Sequence, residues 1–95
     1  IDGQSDLFSL GVTMFQLASG ALPFTGETMT QLMYKIANEP PADLLSLNPT
    51  LPDCFVAIVN RCLAKAKEDR FANGEELAAA IRACAVSFSE LDVTL

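Results

Sequence analysis

The sequence predicts an all-α fold, four helices built around one long buried helix. Three observations carry this. Apolar residues recur at helical spacing in four segments, and no segment alternates apolar with polar as a half-buried strand does. Cap residues, Gly or Pro bracket the segments. The first segment is apolar over far more of its circumference than a surface helix needs.

The first helix is expected over residues 5–19 (SDLFSLGVTMFQLAS). Ser5 is placed to cap it, and Asp6 puts negative charge in the first turn, where the helix dipole favours it. Gly20 is placed to end it as a C-cap glycine. At about 100° per residue, Leu7, Phe8, Leu10, Val12, Met14, Phe15, Leu17 and Ala18 cover an arc of roughly 220°. Ser9, Thr13 and Gln16 form the remaining stripe. A surface helix needs an apolar arc only a little over ~100° wide. This helix therefore wants protein around most of its girth, and a chain this short supplies about half of that cover.

Residues 21–26 read as a turn-rich loop punctuated by Pro23 and Gly26, with Phe24 tucked back onto the helices. The second helix is expected over residues 28–38. Thr28 and Gln31 fit a capping box, and Met29, Leu32, Met33, Ile36 and Ala37 follow helical spacing. Pro40 and Pro41 stop it. A loop follows to Pro52, within which Asp43 to Leu47 has the makings of a short turn. Pro52 suits the first residue of a third helix, whose buried stripe is Phe55, Ile58, Val59, Cys62 and Leu63. Residues 65–72 read as a charged turn. Asn73 then caps a fourth helix, with Glu76 completing a second capping box and Leu77, Ile81, Cys84 and Phe88 facing inward. Residues 1–88 form the helical unit, and 89–95 are a tail without a pattern.

The chain has 95 residues, of which 51% are hydrophobic and 19% charged, and its net charge is −6. That is too apolar for a disordered chain. The six cations are Lys35, Arg61, Lys65, Lys67, Arg70 and Arg82. They make no basic stripe, which excludes a nucleic-acid surface and argues against direct contact with an anionic membrane. Cys54, Cys62 and Cys84 are an odd count without Cys-x-x-Cys spacing, so reduced, buried, inert thiols are expected rather than a disulfide framework or zinc site. This fits a cytoplasmic compartment. No apolar run is long enough to span a bilayer. The opening Ile1-Asp2-Gly3-Gln4 lacks an initiating Met and is expected of a piece of a longer chain.

Asp6-Leu7-Phe8-Ser9-Leu10-Gly11-Val12 resembles the Asp-x-(aromatic)-Ser-x-Gly-Val signature of eukaryotic-type Ser/Thr protein kinases. Leu22-Pro23-Phe24 is similar to the x-Pro-Phe that follows the same helix in that family. Arg70, between a charged turn and a capped helix, is similar to the family's late Arg, usually written Asp-Pro-x-x-Arg. Here Lys65-Ala66 stands in place of the Asp-Pro. The resemblance runs over residues 1–86 in the family's order and spacing, and its compact loops and acidic, Ala-rich last helix have a bacterial flavour.

The resemblance implies the C-terminal part of a kinase C-lobe, with the first helix as its central pillar. Asp6, with Gly11 in the same motif, is then expected to support the catalytic loop, Asp6 by accepting backbone hydrogen bonds; the alternative is an acid that only favours the dipole. Arg70 is expected to form a buried ion pair with a Glu upstream of this chain; the alternative is a solvated Arg beside Glu68 or Asp69. Thr13 and Leu17 fall beneath the family's hydrophobic column, with ordinary core packing as the alternative. Met29, Met33 and Tyr34 lie on a helix that some kinases use for docking, though burial is the expected fate of both Met residues. The parent is expected to use ATP and Mg²⁺ on protein Ser/Thr substrates. Partners of this portion are the remainder of the kinase domain or, through the wide apolar arc, another copy of itself.

The residues themselves supply no catalytic centre. The five Gly are too scattered to cradle phosphates, no Lys follows a Val-Ala-Ile pattern, and without His there is neither a His-Arg-Asp loop nor a Ser-His-Asp or Cys-His arrangement. Asp6-Leu7-Phe8 lies inside a helix without the following Gly of a metal-binding Asp-Phe-Gly, so no metal or cofactor is expected on this portion. Adjacent Glu75 and Glu76 point about 100° apart and do not converge. The competing reading is a free-standing helical interaction module, a remnant of a kinase that has lost catalysis.

Overall fold

The computed structural model describes the backbone of residues 3–94 and the side chains of residues 6–86. The described residues are helical, without strands. Five helices follow in order: α1 (Gly3–Ser19), α2 (Met29–Asn38), α3 (Leu44–Leu47), α4 (Asp53–Cys62) and α5 (Gly74–Thr94), with a 3-10 turn at Lys67–Asp69. The short turn anticipated after Asp43 is α3, and Asp43 caps it by accepting from the Leu45 N–H at 3.2 Å.

Helix α1 begins at Gly3, so Ser5 stands within the first turn and is not the N-cap. The backbone turns helical two residues sooner because Gly3 and Gln4 impose no stop. The Ser5 side chain and Phe88 lie outside the described side chains. Gly20 ends α1 with φ 75°, and its N–H donates to the Gln16 carbonyl at 2.8 Å. Only a residue without Cβ enters this left-handed region freely, so the helix stops there. The backbone of α5 runs on to Thr94, past Ser89, where the sequence has no apolar pattern.

Both capping boxes form, with a shift. Thr28 accepts from the Gln31 N–H at 3.1 Å, while the Gln31 side chain accepts from the Glu27 N–H at 2.9 Å. Asn73 accepts from the Glu76 N–H at 2.9 Å, while Glu76 accepts from the Ala72 N–H at 3.0 Å. In each box the return bond reaches the residue before the cap, not the cap itself. Pro52 is the N-cap of α4 and not its first helical residue: its ψ of 143° is extended, and its carbonyl accepts from the Phe55 and Val56 N–H groups.

The core is a seam where α4 lies between α1 and α5. On one side Phe15, Leu44, Val59 and Leu63 are buried together; on the other, Leu7, Ile58, Cys62, Phe71 and Leu77. Met14 touches both groups and joins them. Gly11 sets the closeness of the seam. A Cβ there would stand 2.6 Å from the Cys62 Cβ and 3.3 Å from Leu63 Cδ2, well inside contact distance. The backbones of α1 and α4 approach this near only because Gly11 carries no side chain.

Besides Ser5, Pro52 and Ile81, the last 41% exposed rather than facing inward, two expectations fail against this architecture. Cys54 and Cys84 form a disulfide, with Cα atoms 5.6 Å apart across 30 residues of sequence. Only Cys62 is a buried free thiol, and burial pushes its pKa up despite the neighbouring Arg61. Side-by-side packing of α4 and α5 makes the pair, a proximity that cysteine spacing along the chain does not encode. The second failure is at α2, where Met29 and Met33 are 71% and 62% exposed rather than core. No residue of α2 is fully buried, and no other described helix packs extensively against it.

Candidate docking face of the first helix

Helix α1 buries only part of its apolar arc. Leu7, Gly11 and Phe15 are buried and Phe8, Val12, Met14 and Ala18 half-buried, a covered arc of about 160° at 100° per residue. The opposite side carries Asp6, Leu10, Thr13 and Leu17, all exposed, and all within an arc of about 60°. They make one line along the helix, roughly 16 Å from Asp6 to Leu17 at 1.5 Å per residue. Leu17 is 82% exposed and Leu10 43%. Thr13 turns its hydroxyl back to the Ser9 carbonyl at 3.2 Å, which leaves its methyl group to the stripe. A row of two Leu, a Thr methyl and one carboxylate at the N-terminal end can seat an apolar partner and accept backbone N–H groups beside it.

Three of the residues singled out in the sequence, Asp6, Thr13 and Leu17, thus share one face. Gly11 does not join them; it lies on the opposite side, in the α1–α4 seam. Leu10 belongs to the stripe and was missed as a site residue, although its spacing of four from Asp6 and seven from Leu17 marks it.

The far side of α1 carries a second cluster. The Phe8 and Phe24 rings stack with centroids 6.4 Å apart and planes 17° from parallel, so Phe24 does fold back onto α1. The Arg70 guanidinium lies over Phe8 at 5.0 Å, and the Lys65 ammonium lies over Phe24 at 4.3 Å. Arg70 is half-buried; its Nε donates to the Ala64 carbonyl at 2.7 Å and its Nη2 to the Lys65 carbonyl at 3.4 Å. Among the described residues it leans on backbone oxygens and a ring face, with neither Glu68 nor Asp69 as the partner. Its fork retains donors for a carboxylate.

Lys65 acts at a distance in sequence. Its ammonium donates to the Ile36 carbonyl at 2.6 Å and the Lys35 carbonyl at 3.5 Å, at the C-terminal end of α2, where a cation meets the negative end of the helix dipole. Partial burial, then Arg70, lower its pKa, and Glu39 opposes them. The one sequence signal for this residue was its place where the kinase turn has Asp.

Met29, Met33 and Tyr34 are all exposed on α2. The two Met lie side by side at i and i+4, while Tyr34 points about 100° away from Met33. Among the described residues, no group of three or more His, Cys, Asp or Glu side chains is placed to hold a metal ion. No described helix is long and apolar enough to cross a membrane.

No protein-family profile matches the chain. Curated proteins do. The chain is 35% identical over 77 residues, 81% of its length, to the serine/threonine-protein kinase PksC of Streptomyces coelicolor, of which it covers 14%. It is 35% identical over 78 residues, 82% of its length, to the DNA damage-responsive serine/threonine-protein kinase RqkA of Deinococcus radiodurans, of which it covers 12%. It is 40% identical over 72 residues, 75% of its length, to a stretch making up 2% of hybrid signal transduction histidine kinase G of Dictyostelium discoideum. The chain therefore spans only a small part of the length of these relatives.

Proposed function

We propose that the chain is a C-terminal portion of the C-lobe of a eukaryotic-type Ser/Thr protein kinase, a reading supported by its likeness to PksC and RqkA, and that it is the scaffold on which an ATP-dependent protein kinase builds its catalytic loop. The whole protein transfers the γ-phosphoryl group of ATP, with Mg²⁺, to Ser or Thr hydroxyls of protein substrates. This portion contributes no reacting group. Its α1 stripe receives the remainder of the kinase domain: Asp6 accepts backbone N–H groups of the catalytic loop, and Leu10, Thr13 and Leu17 pack beneath the hydrophobic column. Arg70 completes a buried pair with a Glu that precedes this chain. The observation that carries the reading is the stripe itself. One face of a helix whose other side is tightly buried presents Leu17 at 82% exposure, in line with a carboxylate.

The test is Asp6→Ala in the full-length protein, assayed for phosphoryl transfer from Mg·ATP to a Ser/Thr-containing protein substrate. A catalytic loop left unsupported by one misplaced ångström loses about 100-fold in rate, so a fall in kcat of about 10- to 100-fold with a lowered Tm is expected. Unchanged turnover would leave Asp6 as an acid that only favours the dipole. Absence of transfer in the unsubstituted protein would favour the free-standing interaction module, in which the stripe meets a protein partner or a second copy.

A further inference from the structure

The Cys54–Cys84 disulfide has no part in the scaffold role, and it sits where α5 is otherwise weakly held. At its N-terminal end α5 is fastened by buried Leu77, half-buried Ala80 and the Asn73 cap. The Arg61–Glu76 ion pair nearby is half exposed at 3.7 Å, and pairs of that kind add little. Further along, Ile81 is 41% and Val86 57% exposed. There the faces of α5, α4 and α1 stand apart around an apolar groove of about 450 Å³, with Ile81, Cys84 and Ala85 on one wall and Met14, Phe55 and Ile58 on the other. Across this poorly packed stretch the disulfide is the covalent tie between α5 and the seam. Both of its cysteines are half-buried, open enough for a small thiol to reach. Cys62, the third thiol, is fully buried under α1 and out of competition.

We propose that Cys54 and Cys84 are a reversible redox-modification site, a thiol–disulfide clasp that fastens α5 to α4 when oxidised and releases residues 81–86 of α5 when reduced. The co-reactant is glutathione disulfide. The thiolate of one cysteine attacks it, forming a mixed disulfide and expelling one glutathione thiolate. The thiolate of the other cysteine then attacks the protein sulfur of that mixed disulfide and expels the second. Two protein thiols become one disulfide, one glutathione disulfide becomes two glutathione thiols, and the two thiol protons pass to the leaving thiolates. Excess reduced glutathione runs the same steps backwards. The proposal stands apart from the kinase reading, since neither its chemistry nor its readout involves phosphoryl transfer.

The test uses the full-length protein equilibrated in glutathione buffers of varied ratio, alkylated, digested with trypsin and analysed by mass spectrometry. Cleavage after Lys35, Arg61, Lys65 and Arg82 places each cysteine on its own peptide: Cys54 on 36–61, Cys62 on 62–65, and Cys84 on the peptide beginning at Ala83. The expected result is a linked 36–61/Ala83 species that rises and falls reversibly with the glutathione ratio while the Cys62 peptide stays unlinked. Amide hydrogen exchange of residues 81–86 should be at least about 30-fold faster in the reduced form. Cys54→Ser and Cys84→Ser should each exchange at the reduced rate in every buffer. A link that never forms, one that folded protein keeps in excess reduced glutathione, a link through Cys62, or equal exchange in both forms overturns the proposal. Should either serine variant fail to fold, the titration of the unsubstituted protein decides alone.

Discussion

Helices α2 and α4 are each ten residues long and each carries an apolar stripe at helical spacing, yet they meet opposite fates. In α4, Ile58, Val59 and Cys62 are buried between α1 and α5. In α2 nothing is buried. It is held from its two ends. At the start, Gly26 lets the preceding loop lie so near the helix that a Cβ there would stand 2.7 Å from the Leu32 nitrogen. At the finish, Lys65 holds two carbonyls. An amphipathic pattern states that a face wants cover; it does not state what covers it. The seam is finished within this chain, and α2 is not.

The largest break in that contrast is expected from Phe15→Ala against Met33→Ala. Phe15 has no exposed surface, at the point where α1, α3 and α4 meet. Truncating it removes the ring and leaves a cavity, a loss of about 3–5 kcal/mol. Met33 is 62% exposed, so its truncation should move stability by no more than about 0.5 kcal/mol. Chemical unfolding of both variants in the full-length protein measures the difference. A Met33 loss near that of Phe15 would show α2 covered by the remainder of the protein, and would move it to the finished side of the comparison.

How much of this was legible in the sequence follows the same division. Features within one element read well, apart from two helix starts, where Ser5 lies inside α1 and Pro52 caps α4 instead of opening it. The Gly20 stop and both capping-box residues, Thr28 and Asn73, depend on neighbours a few residues away. Features that need two distant elements did not read. Cys54 and Cys84 give no sign of pairing until α4 and α5 are side by side. Met29 and Met33 show the same spacing whether they are to be buried or left open. Of the α1 stripe, Asp6, Thr13 and Leu17 came from the kinase resemblance, whereas Leu10 was hidden among eight apolar residues of one arc. Gly11 was read in the catalytic-loop motif, and its closeness to Cys62 became visible only once the helices crossed.

Gly11→Ala sharpens the comparison on the seam side with a smaller effect. In an isolated helix the change would stabilise by about 1 kcal/mol, since Gly is the poorer helix former. Here the new methyl meets the Cys62 Cβ at 2.6 Å, an atom fixed to the α4 backbone that cannot swing aside. Forced displacement of packed elements costs about 1–3 kcal/mol, and the overpacking should outweigh the propensity gain. A net destabilisation of about 1 kcal/mol is therefore expected in chemical unfolding. A net gain would mean that α1 and α4 slide apart freely, and the seam would be no tighter than the attachment of α2.

Lys65→Met tests the other side, and its effect is the smallest. The substitution keeps an apolar stem to lie against Phe24 but removes the ammonium from the Ile36 and Lys35 carbonyls and from the ring. A cation at a helix C-terminus contributes about 0.3–1 kcal/mol, and an exposed cation–ring contact about 0.5–1 kcal/mol. Lys65 also holds its charge against partial burial and the nearby Arg70, which offsets part of that gain. The net loss should be about 1 kcal/mol or less and should fall on α2 alone. Amide exchange of residues 29–39 should quicken by about three- to five-fold, as a local opening of that size implies, while exchange across Ile58 to Leu63 stays unchanged. Equal quickening in both segments would show that the end-tie and the seam are one cooperative unit, so that α2, though uncovered, shares the stability of the core.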